Sequence, residues 1–100
     1  MDEYCLTIIC PPTVEERLLD TLLATPGCDL FTSTPTHSHG MAPARLALAE
    51  QVMGRSRAIQ VQVLLNKTEL DELNALLKNS FAGVGLRYWA IPVTINGELA

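Results

Sequence analysis

The residues best suited to chemistry lie near the middle of the sequence, and His37-Ser38-His39 holds both histidines of the chain. In an extended segment, residues two apart point the same way with Cα atoms roughly 6.5–7 Å apart, so two imidazoles there can share a divalent transition metal ion. Two ligands do not complete a site. A third would come from Cys28, Asp29, Met41, Glu50 or a symmetry mate. The plainer reading is two solvated histidines in a Ser/Thr-rich loop, since this spacing alone is a weak signal. A second grouping is basic. Arg55 and Arg57 share a face if their strand begins early, and with Arg45 and Gly54 they can form an anion site for a phosphate or carboxylate. Its bland counterpart is a solvated strand end that neutralises nearby acids.

Cys5 and Cys10 stand an odd number of residues apart on one strand and so point to opposite faces, which makes them small buried hydrophobes rather than joint ligands. Cys28, at the start of a strand after a turn, is expected to be the more accessible thiol, with no cation nearby in sequence to activate it. Catalysis finds no support. Glu15/Glu16 and Asp71/Glu72 are explained by helix starts, and the sequence holds neither a Walker loop nor GxGxxG, so the chain is expected not to be an enzyme.

The elements that must position these residues begin with Tyr4 to Cys10, an apolar, β-branched run closed by Pro11-Pro12 and apolar on both faces, as suits a central strand. Thr13-Val14-Glu15-Glu16 reads as a capping box opening a helix whose stripe is Val14, Leu18, Leu19, Leu22 and Leu23, stopped by Pro26-Gly27. Cys28 to Thr34 supplies a second, short strand. Ile59, Val61, Val63 and Leu65 alternate with Gln60, Gln62 and Leu64 in a third. Thr68 is expected to cap a second helix with the stripe Leu70, Leu73, Leu77 and Phe81. Gly83-Val84-Gly85 ends it, Leu86 to Val93 forms a fourth strand whose Pro92 marks an edge position or the strand's end, and Thr94 to Gly97 reads as a weak last strand and turn. Met41 to Met53 fits a helical turn or two as well as it fits a loop. The connection at about 34–57 is far longer than strands usually need, which marks it as functional or mobile.

This order, βαββαβ, places both helices on one face of an antiparallel sheet, a ferredoxin-like α+β sandwich over a single domain, residues 1–100. The other face is too apolar to be left in water. With 48% hydrophobic and 18% charged residues in 100, the chain is expected to bury that face against another subunit. A net charge of −4 without a basic face argues against nucleic acid and anionic membranes as partners. The three cysteines lack a CxxC pair, the acidic Met1-Asp2-Glu3 leads straight into a strand without a signal peptide, and no apolar run approaches the roughly 20 residues of a spanning helix, so a cytoplasmic location is expected.

Three stretches carry a resemblance over nearly the whole chain. They are the opening Cys5-Leu6-Thr7-Ile8-Ile9-Cys10-Pro11-Pro12, the central Leu48 to Arg57 followed by Gln60-Val61-Gln62-Val63-Leu64-Leu65, and the closing Tyr88-Trp89-Ala90-Ile91-Pro92-Val93. With the long loop between strands two and three, the chain resembles the PII-like group of small ferredoxin-like proteins, and more closely a bacterial branch of it whose members tend to be encoded beside heavy-metal efflux systems. The resemblance implies a homotrimer packed through its sheets and a ligand near the long loop. It also implies a regulatory role linked to a transition metal, with a membrane efflux transporter as a partner. The PII proteins proper hold nucleotide phosphates partly with basic residues after the second helix, and Ser80 to Gly85 contains none. Metal sensing or buffering through His37 and His39 is the first functional expectation, a nucleotide or anionic-metabolite sensor using Arg45, Arg55 and Arg57 the second, and a structural docking module the third.

Overall fold

β1 (Glu3–Cys10) is paired on both sides, and everything else is laid against it. The computed structural model describes residues 2–40 and 55–100. Along the chain β1 is followed by α1 (Glu15–Leu23), β2 (Phe31–His39), β3 (Arg55–Asn66), α2 (Lys67–Ser80) and β4 (Arg87–Val93). The four strands form one sheet in the order β2-β3-β1-β4, with β1 antiparallel to both β3 and β4 and β2 antiparallel to β3. This is the expected ferredoxin-like arrangement. Both edge strands carry a proline, Pro35 in β2 and Pro92 in β4, and an edge is where a residue without an N–H costs the ladder least.

Leu6, Ile8 and Cys10 of β1 and Val61, Val63 and Leu65 of β3 are buried in one cluster with Leu18 and Leu22 of α1, Leu73 and Leu77 of α2 and Phe81 at the end of α2. Both helices therefore cover the same face. Each of these fully buried aliphatic side chains contributes about 1.5–3 kcal/mol relative to exposure. The other face holds Cys5, Thr7 and Ile9 between Leu64, Gln62 and Gln60 on one side and Ile91, Trp89 and Arg87 on the other. Leu64, Trp89 and Ile91 are 41%, 46% and 55% exposed on it, which is a large apolar surface for a chain of this size. Thr7 alone in its middle is shut off, because Gln62 lies over it and its Nε2 donates to Thr7 Oγ1 at 3.2 Å.

Five local expectations are corrected. β2 runs from Phe31 to His39 rather than from Cys28 to Thr34, because Pro35, lying on an edge, does not end it. The connection at about 34–57 is shortened accordingly: 34–39 and 55–57 are strand, and Met41 to Gly54 lies outside the described residues together with the expectation of mobility placed on it. Pro12–Val14 forms a 3-10 turn, with Val14 N–H donating to the Pro11 carbonyl at 3.0 Å, so α1 starts after it at Glu15 and Thr13 caps nothing. Asn66 rather than Thr68 caps α2, since β3 runs directly into the helix and the extended Asn66 is its last non-helical residue. Thr94 to Gly97 is not a strand.

Candidate functional site

β1 stops pairing at Cys10, opposite Ile59, while the β2–β3 ladder continues through Thr36 and Ala58, His37 and Arg57, Ser38 and Ser56, and His39 and Arg55. The last part of β2 and the first part of β3 thus form a two-stranded arm beyond the main sheet. His37 and His39 belong to this arm and not to a loop, which corrects the sequence expectation and fixes their spacing: both lie on the face that, further along β2, carries Phe31 onto the core. Across the ladder each histidine stands opposite an arginine, His37 opposite Arg57 and His39 opposite Arg55. Directly opposed residues have Cβ atoms about 4.5–5.5 Å apart, near enough for the His37 and Arg57 side chains to act on one bound group.

The two groupings found separately in the sequence are therefore one grouping. His37, His39 and Arg57 are exposed to solvent. Among the described residues, the β2 positions of this face are Phe31, Ser33, Pro35, His37 and His39, and its β3 positions are Arg55, Arg57, Ile59, Val61, Val63 and Leu65. Guanidinium and imidazole groups on one face are hydrogen-bond donors suited to an anion. Cys28 and Asp29 cannot complete a metal site within the chain, because they precede the opposite end of β2, about 20 Å from His37 at roughly 3.3 Å per strand residue. Cys28 is also buried at 3% exposure rather than accessible, and burial, with Glu69 and Asp29 nearby, pushes its thiol up from the ordinary range. Among the described residues no group of three His, Cys, Asp or Glu is placed to hold a metal ion. Arg45, Met41 and Glu50 lie outside the described residues.

A second concavity, about 260 Å³, opens at the end of α2 between Leu77, Lys78, Phe81, Gly83, Gly85 and Tyr88. The sequence reading passed over it, although Gly83-Val84-Gly85 after a helix was the available signal. Gly85 has φ +88°, and a Cβ there would meet Pro11 Cγ at 3.3 Å, so both its backbone conformation and its surroundings call for glycine. The Tyr88 hydroxyl donates to Asn74 Oδ1 at 2.6 Å and holds the ring against α2. Arg17 ties α1 to the same corner, its guanidinium 4.4 Å over the Phe81 ring and donating to the Ser80 carbonyl. Ser80 to Gly85 contains no basic residue, but Lys78 on the cleft lining supplies a positive charge there.

The family model described as "Protein of unknown function (DUF3240)" matches residues 1–100. The chain belongs to this family. A DUF3240 family protein from Shewanella baltica OS155 has a similar structure, at TM-score 0.79 and 17% identity over 98% of this chain and 97% of that one. CPII from Thiomonas intermedia K12, a nitrogen regulatory PII-like protein bound to ADP, AMP and bicarbonate, superposes at TM-score 0.74 with 12% identity, covering 99% and 98% of the two chains. A Bacillus subtilis GlnK–ATP complex does so at TM-score 0.68 and 12% identity, over 93% of this chain and 83% of that one. No curated protein matches the sequence. At these identities the likeness shows the fold, which for this DUF3240 protein is of the PII-like, ferredoxin type. Among the described residues no helix is long and apolar enough to cross a membrane.

Proposed function

We propose that this DUF3240 protein is a small cytoplasmic regulatory binding protein, not an enzyme, and that it senses an anionic ligand, a nucleotide or another anionic metabolite, at the histidine–arginine arm of β2 and β3. The observation that carries the reading is the register: it sets Arg57 opposite His37 and Arg55 opposite His39 on one strand face. Guanidinium groups match phosphate and carboxylate geometry, and imidazoles add donors to the same anion. The nucleotides bound by CPII and GlnK are of this chemical class. The PII-like fold and the exposed Leu64, Trp89 and Ile91 favour a homotrimer closed through the helix-free faces of the sheets.

A transition metal is the second reading, favoured by one observation: His37 and His39 lie two apart on the same face of a regular strand. Calorimetric titration of the protein with adenine nucleotides, inorganic phosphate and a panel of divalent ions tests both. An anion site should weaken with added salt and with Arg57→Gln. Metal binding should yield to chelator, to acid and to the His37→Ala/His39→Ala double variant, because an imidazole must be neutral to ligate. A protein that binds none of these ligands at micromolar levels would leave only the docking role on a membrane efflux transporter, which pull-down with such a transporter would test.

A further inference from the structure

We infer that the cleft at the end of α2 binds a compact apolar carboxylate, one ring in size, whose apolar part enters between Leu86 and Tyr88 while its anionic group meets Lys78. The lining is graded from apolar to charged: Leu77 and Phe81, 2% and 3% exposed, close the floor, Leu86 and Tyr88 are half-buried walls, and Lys78 is exposed at the rim. The Tyr88 hydroxyl is already engaged by Asn74, so the side chains of the interior offer contact to apolar groups only. Both walls are fixed before a ligand arrives. The Tyr88–Asn74 bond ties β4 to α2, Arg17 lies over the Phe81 ring and donates to the Ser80 carbonyl, and the loop at Gly85 packs against Pro11. A preformed cleft of this kind needs little ordering on binding. It lies on the helix-covered side of the sheet, since Tyr88 pairs with the buried Ile8, and it shares no residue with the arm.

Size and charge decide the class of ligand. An apolar cavity of about 150 Å³ holds a benzene ring. At about 260 Å³ the cleft accommodates a ring with a carboxylate, and it falls below the roughly 300–1,000 Å³ of pockets that enclose drug-sized ligands. A nucleotide exceeds it. The lining includes Lys78 and no acidic residue. Arg17 is occupied by the Ser80 carbonyl, whereas Lys78 has no hydrogen bond or ion pair among the described residues. A carboxylate at the rim therefore gains a charge-assisted hydrogen bond, and an amine in its place meets only repulsion.

The test is an amide NMR titration of the full chain with benzoate, with its neutral counterpart benzamide and with acetate, which has the charge but no ring. Benzoate should shift the signals between Leu77 and Tyr88 with a Kd of about a millimolar, and acetate should give no saturable shift. Benzamide should bind about two- to fivefold more weakly. Lys78→Gln should erase that difference by weakening benzoate alone, while Arg87→Gln, on the helix-free face, should change neither ligand. Benzoate that leaves the cleft signals in place well above millimolar levels, or that binds no better than benzamide to the parent protein, overturns the site, as does an equal loss in Lys78→Gln and Arg87→Gln. Benzoate shifts confined to the arm, from His37 to His39 and from Arg55 to Arg57, overturn the cleft while supporting the anion reading of the arm, so the two readings fail separately. The parent titrations decide the point without any variant.

Discussion

Asn66 and Glu69 hydrogen-bond each other twice across the start of α2: Asn66 Oδ1 accepts from the Glu69 N–H at 2.8 Å, and Glu69 Oε1 accepts from the Asn66 N–H at 2.9 Å. The same carboxylate lies against Gly27 in the turn after α1, where φ is +90° and an added Cβ would fall 2.5 Å from Glu69 Oε2. Glu69 could swing away only by breaking its half of the capping box. Gly27→Ala is therefore expected to destabilise the fold by about 1–2 kcal/mol from its left-handed backbone, with a further loss at the helix cap. Asn66→Ala should cost about 1 kcal/mol. Urea denaturation of both variants and of the double variant checks this, and a sub-additive double variant is expected because the two sites share Glu69.

The bond from the Tyr88 hydroxyl to Asn74 Oδ1 joins β4 to α2, and Tyr88 also lines the α2 cleft. Tyr88→Phe should lower stability by about 1 kcal/mol through the lost bond and the amide left with one partner fewer. Thermal unfolding by calorimetry is the measurement. A destabilisation of this size in Tyr88→Phe and none in Arg87→Gln would tie it to the buried side of β4.

Cys10 and Cys28 are buried among the core side chains, and burial, followed by Glu15 for Cys10 and by Glu69 and Asp29 for Cys28, raises both thiols above the ordinary range. A folded-state value above the unfolded one means that the native chain holds its thiol protons longer. Stability from this source is complete below the unfolded value, about 8.5, and is lost as pH rises through the higher folded value. Unfolding free energy should thus decline in alkaline buffer, and Cys10→Ala/Cys28→Ala, though less stable overall, should decline less. In the monomeric chain iodoacetamide should label the half-buried Cys5 of the helix-free face ahead of either, and closing a trimer through that face should slow this labelling, as mass spectrometry of tryptic peptides would show.

Trp89 stands opposite Thr7 in the middle of the helix-free face and is 46% exposed. If this face closes a trimer, Trp89→Glu should give a folded monomer, because an unpaired carboxylate cannot be buried there without a partner. Light scattering on a size-exclusion column should report three chains for the parent and one for the variant. A monomeric parent would remove the trimer proposal.

The sequence alone determined the element order, the core and the side of the sheet left uncovered, because each rests on short-range periodicity. Leu18 and Leu22, Leu73 and Leu77, and the alternation from Ile59 to Leu65 specify their buried faces whatever lies opposite. Where β2 ends was decided by its place in the sheet: Pro35 reads as a stop in isolation, and only an edge position lets the strand pass through it to His39. The helix caps were settled by competition, since a 3-10 turn took Thr13, and Asn66 was available two residues before Thr68. The relation of His37 to Arg57 was beyond sequence periodicity because it is a matter of register. Twenty positions separate the two residues along the chain, and a slip of one residue between β2 and β3 would have turned one of them to the other face.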